Sequence, residues 1–271
     1  MRLAPEIEAS GYRLITLDST QSTNDEVAAA ARQGDPGRLW IVAREQRAGR
    51  GRHGRQWTSP PGNLYASLLL VDPCEPALAP QLGFIAGIAL HEAVAKETGH
   101  DAPRLALKWP NDLLLDRAKV AGLLLEGHQR PRGDFALVIG FGLNVVSAPD
   151  TVSYPAKALR EIADVSAESL FIRLAQSFAA HFEGWREARG DRADDPFVTV
   201  RAEWMARAAG VGDKVTVRLP AGERSGSFIG LDGAGRLQLR TAFGTESIDA
   251  GDLYFPNPSS AGMPSGSLVS R

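Results

Sequence analysis

Within fourteen residues, Arg44 to Trp57 (REQRAGRGRHGRQW), the chain places five arginines and three glycines. A guanidinium is a planar fork of N–H donors that matches the oxygens of a carboxylate or phosphate. Glycines at 49, 51 and 54 let backbone N–H groups approach an anion closely. The spacing is not that of a Walker-type phosphate loop, which needs Gly-x-x-x-x-Gly-Lys-[Ser/Thr]. Three roles stay open on the block alone: a nucleic-acid tether, a solvated turn, or a loop that closes over an anionic ligand. Ordering about ten loop residues costs on the order of 10 kcal/mol, at ~1 kcal/mol each. Hydrogen bonds to charged groups return roughly 1.5–3 kcal/mol each. A few arginine–anion contacts therefore about balance the ordering, and such a loop would open without ligand and fold around one.

Other residues offer complementary chemistry. Ser22, Thr23 and Asn24 stand where a helix begins, and Thr23 with Glu26 has the spacing of a capping box. Read functionally, hydroxyls and amides there, with Gln46 at the root of the arginine block, give a neutral polar ligand both donors and acceptors. Lys108 and Lys119 bracket a turn and hairpin on otherwise apolar strands, either as solvated edge residues or as point charges for a carboxylate or phosphate oxygen. Asp112 is either an ordinary turn residue or a carboxylate for a magnesium ion. GFGLN (140–144) ends a strand in glycines and Asn144, either as a turn or as a backbone approach to a nucleotide.

These residues need a frame. Strands are expected at 12–17, 39–43, 63–71, 104–109, 113–115, 120–127 and 135–145, with a four-residue connection, DRAK, inside the hairpin. Helices are expected from Ser22 to Gly34, over 80–97 and over 167–188, where Leu170, Leu174, Phe178, Phe182 and Trp185 recur on one face. After RGDRADDP (189–196) a connecting helix and short alternating strands with glycine turns predict a small β-barrel or sheet, and the last stretch is a polar tail. The expected organisation is a catalytic domain over 1–195, a connecting helix over 196–210, a barrel over 211–256 and a disordered tail over 257–271.

The 271 residues carry a formal net charge of −2, which gives no general attraction to nucleic acid or anionic lipid. A nucleic-acid tether would also want aromatics among its arginines, and only Trp57 flanks the block. One cysteine, Cys74, fits a reducing compartment. The N-terminus has no apolar segment of a secretory signal, and no uninterrupted apolar run approaches spanning length. A cytoplasmic protein without a membrane partner is expected.

In this order and spacing, STN (22–24), EQRAGRGRHGRQW (45–57), KWPNDLLLDRAKVAGLLLE (108–126) and GFGLNV (140–145) resemble the biotin–protein ligase family. The likeness spans about residues 12 to 190 and has a counterpart in the C-terminal strands. It implies an α+β fold: a mixed β-sheet catalytic domain related to class II aminoacyl-tRNA synthetases and lipoate ligases, with a small C-terminal Src-homology-3-like β-barrel. It implies biotin, ATP and Mg2+ as co-substrates, no permanently bound cofactor, and the biotin carboxyl carrier domain of a carboxylase as acceptor. A lipoate ligase is the nearest alternative.

Carried over by motif, Ser22, Thr23 and Gln46 match the residues that hold the ureido ring of biotin, and Asn24 completes that motif. Arg50, Gly51 and Arg52 match a ligand-ordered loop. Lys119 matches the lysine at the biotin carboxylate and adenylate phosphate. Trp57, Lys108, Asp112 and Asn144 match positions near the nucleotide or its metal, with Asp112 as the metal ligand and Arg52, Lys119 and Asp112 as the catalytic set. The block departs in reading Gln46-Arg47 where a second glutamine is common, and His53 where arginine is common. About a dozen residues before the first strand leave no room for the helix-turn-helix domain of repressor members, so no DNA partner is expected. The family also allows a homodimer.

Overall fold

The computed structural model describes residues 1–255 except 102, 132, 153, 191–194 and 196. The tail expected over 257–271 lies outside the described residues.

After a short helix, α1 (Pro5–Ala9), strand β1 (Arg13–Thr20) leads through helix α2 (Thr23–Arg32) into β2 (Leu39–Gln46), which pairs with β1 in parallel. This crossover puts α2 on one face of the sheet. Five more strands join antiparallel: β3 (Leu64–Val71), β4 (Leu105–Lys108), β5 (Asp112–Leu115), β6 (Ala118–Gln129) and β7 (Phe135–Leu143). The order β1-β2-β3-β7-β6-β5-β4 makes a mixed seven-stranded sheet. Its interior strand β3 is covered on both sides, which is why LYASLLLV reads as a nearly unbroken apolar run.

The opposite face carries helices α3 (Ala79–Thr98) and α4 (Ala167–Gly190). All five residues expected on the buried stripe of α4 are buried. Trp40 of β2 meets Phe171 and Phe178 of α4 edge-on, at ring-centroid distances of 5.5 and 6.2 Å. Pro76–Thr98 is long and apolar enough to cross a membrane by composition, but 72% of its most apolar window is buried inside the protein, so its composition is that of a core helix.

The β5–β6 hairpin corrects the expected four-residue connection. Leu115 pairs with Ala118, so only Asp116 and Arg117 form the turn, with φ of 49° and 65°. Two successive positive φ values belong to a tight turn whose twist suits the flanking strands. Lys119 is therefore a strand residue, opposite Leu114.

Helix α5 (Phe197–Ala206) connects to a second sheet of β8 (Lys214–Leu219), β9 (Gly222–Leu231), β10 (Leu237–Thr241), β11 (Gly244–Ile248) and β12 (Asp252–Tyr254). The order is β11-β10-β9-β8-β12, and its two edge strands do not pair with each other. The expected barrel is thus an open antiparallel sheet among the described residues. Strand β12 was not foreseen. The sheet is anchored by Phe84 of α3 against Phe197 and Trp204 of α5, at 5.3 and 5.4 Å, and by backbone bonds between Leu107 of β4 and residues 207 and 209.

Where α3, α4 and α5 meet, His181 lies between two carboxylates. Its Nε2 is 2.9 Å from Glu92 Oε2 and its Nδ1 is 3.7 Å from Glu203, while Arg207 donates to Glu92 Oε1 at 3.0 Å. The His181 hydrogen bond brings the Glu92 carboxyl down to about 2. The same bond to Glu92 raises the His181 imidazole above 6.5. His181 therefore adds stability that is full below pH 6.5 and fades as pH rises through its raised value. Glu92 adds stability that is full above pH 4.5 and is lost toward about 2. The difference in melting temperature between the parent and His181→Gln should be largest in the window from pH 4.5 to 6.5 and should shrink at alkaline pH. A pH-independent difference would contradict this assignment.

Candidate active site

The α2 side of the large sheet has a floor without side chains. Gly122 of β6 pairs with Gly142 of β7, and Ser67 of β3 pairs with Gly140. A Cβ on Gly140 would fall 2.2 Å from Asn24 Oδ1, and one on Gly142 would fall 2.5 Å from the Trp57 ring. Only glycine lets the start of α2 and the indole of Trp57 lie this close to the strands. Above that floor is a cavity of about 870 Å³, roofed by the arginine loop and walled at one end by β12.

At its inner end lie Ser22, Thr23, Asn24 and Gln46. The expected Thr23–Glu26 capping box does not form. Ser22 occupies the cap position without a capping bond, and Thr23 is the first helical residue. Parallel pairing sets Gln46 beside Thr20, within reach of α2. Gln46 Oε1 accepts the Thr23 backbone N–H at 2.8 Å and lies 3.0 Å from Thr23 Oγ1. Glu26 instead accepts the hydroxyl of Thr20 at 2.5 Å. The neighbouring strand outcompetes the local cap.

The arginine loop folds back on itself. Gly51 N–H donates to Arg55 O at 2.7 Å, Trp57 N–H donates to Gly49 O at 2.8 Å, and Arg52–Gly54 form one 3-10 turn. Its arginines are held by carboxylates from distant segments. Arg50 meets Asp25 at 2.6 Å and Glu126 at 3.1 Å. Arg52 donates to Gly251 O at 3.1 Å and to Asn111 Oδ1 at 3.3 Å, and lies 3.7 Å from Asp252. Arg55 also pairs with Asp252. Burial lowers the Arg52 pKa, against the opposing pull of Asp252 and Asp112. The Asp25 hydrogen bond raises that of Arg50. The more exposed pairs, those of Arg50 and Arg55, contribute about 0–1 kcal/mol each, so the closed loop is only weakly held.

Two lysines face the floor. Asp112 Oδ1 is 2.6 Å from Lys119 Nζ, and its Oδ2 is 2.9 Å from Lys108 Nζ. Burial opposes ionisation of Asp112, yet Lys119 and Lys108 outweigh it and keep the carboxyl below its ordinary value. Lys119 Nζ also sits 5.3 Å from the Trp57 ring and 5.4 Å from the Tyr154 ring, a cation–π arrangement on both sides. As a magnesium ligand Asp112 fits poorly: both its oxygens are already taken by ammonium groups. The other carboxylate of the cavity, Asp252, is committed to Arg52 and Arg55. Asn144 is buried beside a separate recess of about 20 Å³, room for one water molecule at most, next to Trp57 and Lys119.

Residues 16–144 match the biotin/lipoate A/B protein ligase family, and residues 211–255 match the biotin protein ligase C terminal domain. A biotin--[acetyl-CoA-carboxylase] ligase of Paracoccus denitrificans is 37% identical over 246 residues, 88% of this chain and 99% of its own. The chain belongs to the biotin protein ligase family. Biotin protein ligase from Aquifex aeolicus in complex with biotin and ATP is a structural neighbour of this family member. Its TM-score is 0.74 at 26% identity, over 89% of this chain and 97% of that one. The Leishmania major biotin protein ligase in complex with biotinyl-5-AMP has a TM-score of 0.60 at 26% identity, over 88% and 99% of the two chains.

The cavity thus brings together Ser22, Thr23, Asn24, Gln46, Arg50, Gly51, Arg52, Trp57, Lys108, Asp112 and Lys119 of the expected site residues. Sequence reasoning missed Arg55, Asn111, Tyr154 and Asp252 as parts of it, and Glu126 as the partner of Arg50 beside it. Glu126 was recoverable, because positions 122, 124 and 126 share one face of β6. Asp252 had no local signal. The paired lysines predict that Asp112→Ala, which leaves two ammonium groups facing each other, lowers unfolding stability by about 3 kcal/mol. Urea denaturation of parent and variant measures it, and a change near zero would mean that the lysines relax into solvent.

Proposed function

We infer that this chain is a biotin–protein ligase. It activates biotin with ATP to biotinyl-5'-AMP and then transfers biotin to a lysine of a biotin carboxyl carrier domain. The observation that carries this reading is one continuous cavity with neutral donors and acceptors at its inner end and four cations, Lys108, Lys119, Arg52 and Arg55, toward β12. The inner end suits a compact polar ring such as a urea, held by Ser22, Thr23 and Gln46 with Asn24 behind them. The cationic end suits a carboxylate meeting a phosphate.

In the first step a carboxylate oxygen bonds to the α-phosphorus of ATP, and the bond from that phosphorus to the pyrophosphate oxygen breaks. Both reactants are anions, so Lys119 and Arg52 offset their repulsion and stabilise charge on the phosphoryl oxygens. Asp112 is not consumed; it keeps the two ammonium groups together beside the reacting oxygens. Magnesium enters as the ion of the nucleotide substrate, and no step is assigned to a protein-held metal. In the second step the acceptor amine attacks the acyl carbon, and AMP leaves. No enzyme nucleophile is needed, and Cys74, half-buried with its pKa raised by burial, lies outside the cavity. The arginine loop shields the mixed anhydride from water. Gly251, Asp252 and Tyr254 make the small C-terminal sheet part of the nucleotide end of the site. The boundaries that go with this reading are a catalytic domain over 1–195, a connecting segment over 196–210 and a C-terminal domain over 211–256. A reducing cytoplasmic setting fits the free thiol.

Exchange of labelled pyrophosphate into ATP should depend on biotin and not on lipoate. Exchange driven by lipoate alone would make the chain a lipoate ligase. A streptavidin blot of carrier domain incubated with the protein, biotin and MgATP should then show the acceptor labelled. Because the loop is weakly latched, trypsin should cut between Arg50 and Arg55 in the free protein and much more slowly once biotin and ATP are both present; equal rates would remove the gating role.

A further inference from the structure

Beneath the residues assigned to the ureido ring runs a chain of hydrogen bonds that the reaction itself does not require. Arg50 Nη2 donates to both oxygens of Glu126, at 3.1 and 3.2 Å. Asn24 Nδ2 donates to Glu126 Oε2 at 2.7 Å. Ser67 Oγ lies 2.6 Å from Asn24 Oδ1 and 2.7 Å from Thr23 Oγ1. Thr23 meets Gln46 Oε1 through both its N–H and its hydroxyl, at 2.8 and 3.0 Å. Gln46 Nε2 donates to Ser59 Oγ at 3.0 Å, and Ser59 Oγ donates to Trp57 O at 2.9 Å. Both ends of the chain lie in the arginine loop. Its middle is the ring-recognition set.

The polarity of this chain is determined from its charged end. An ionised carboxylate only accepts, so Asn24 must turn its NH2 toward Glu126 and its carbonyl toward Ser67. Ser67 is 0% exposed, so no bulk water competes for its one proton, which goes to Asn24 Oδ1. The Thr23 hydroxyl then has two acceptors around it, Ser67 Oγ and Gln46 Oε1, and its proton is committed to one of them. What Thr23 presents to the cavity is a lone pair, ready to accept an N–H from a ligand ring. At the other end, Gln46 is fixed with its amide nitrogen on Ser59 and its oxygen on Thr23. Chains of this kind are sensitive to loss of any member.

We propose that Glu126 and Ser67 are positioning residues that couple closure of the arginine loop to the donor–acceptor pattern of the biotin ring pocket. Arg50 in place keeps Glu126 oriented. Glu126 sets Asn24, Asn24 sets Ser67, and Ser67 sets Thr23. By reciprocity, a ligand that selects this orientation of Thr23 favours the closed loop. The proposal rests on the biotin-ligase reading above.

A double-mutant cycle tests it in the pyrophosphate exchange assay, with Glu126→Gln, Ser67→Ala and the pair. A glutamine at 126 has no charge for Arg50 and can offer Asn24 an N–H in place of an oxygen. Each single variant should raise the KM for biotin about tenfold, the loss of one charge-linked hydrogen bond. The KM for ATP and kcat should change less than the KM for biotin, because the chain reaches the phosphate end only through the loop and not through Asp112. The pair should be no worse than the more severe single, since both break the same chain. Glu126→Asp should recover more of the biotin KM than Glu126→Gln, and biotin alone should slow tryptic cutting of the loop in the parent but not in Glu126→Gln. Effects that multiply in the double variant, equal rises in both KM values, or a glutamine as good as aspartate would each overturn the proposal. Melting curves check folding; if Ser67→Ala does not fold, the aspartate–glutamine comparison and the tryptic readout decide. A parent protein without biotin-dependent exchange would remove the functional reading and this proposal together, whereas an active parent with independent variants would remove this proposal alone.

Discussion

Cations are kept side by side around the cavity because carboxylates of the protein stand between them. Asp112 joins Lys108 to Lys119, Asp252 takes both Arg52 and Arg55, and Glu126 with Asp25 takes Arg50. Without these partners the positive groups would repel each other in a partly dehydrated space and turn outward to water. The partners differ in a way that matters for chemistry. Asp112 is nearly buried between neighbours on the two strands that flank its own, so its lysines stay placed whatever the loop does. Asp25, Glu126 and Asp252 reach the loop arginines across a partly exposed boundary, where a stronger anion can replace them. One set of ion pairs preorganises the site, and the other lets it open.

The sheet makes this arrangement affordable in space. Glycines 122, 140 and 142 leave a bare strip on β6 and β7, and onto it fall the start of α2, the Trp57 indole and the Lys119 stem. A methyl at 140 or 142 would enter van der Waals space already filled, so the strip, the helix start and the loop are mutually dependent. The second sheet completes the same space from outside: Gly251 and Asp252 hold Arg52 and Arg55, while Phe84, Phe197 and Trp204 keep the sheet on the catalytic domain. A loop belonging to one sheet is thus latched by an edge strand of the other.

Much of this was legible in the chain because it is periodic or local. The five-residue stripe of α4 and the seven strands follow from apolar spacing, the crossover helix from its acidic first turn and its alanines, and the polar residues that line the cavity stand in short motifs. What escaped was decided by competition or by distance. Thr23 and Glu26 have capping spacing, but the parallel register of β1 and β2 delivers Gln46, which takes Thr23 first. DRAK looks like a four-residue connection, but two positive φ values close the turn in two residues and return Lys119 to a strand. Ser67 is hidden in an apolar strand, and only its register with Gly140 reveals a polar role. Asp252 lies 197 residues beyond Arg55, with nothing nearby to mark it. The small sheet is not closed among the described residues for a related reason: closure requires edge pairing between β11 and β12, and there the short β12 pairs with β8.

Distance also explains why the loop can be both ordered and releasable. Its root is tied to the backbone of Thr20 and Gln21, but beyond Ala48 its backbone bonds are local and few, so they shape the loop without holding it down. The side chains beyond that root reach Asp25, Glu126, Asn111 and Gly251–Asp252, separate parts of the fold. At about 0–1 kcal/mol for each exposed ion pair, their sum does not by itself offset the ~10 kcal/mol needed to order ten residues. A ligand carrying a carboxylate and phosphates adds charge-assisted bonds of roughly 1.5–3 kcal/mol each to the same side chains. The balance therefore shifts toward closure when the reactive groups are both present, which is when exclusion of water is useful.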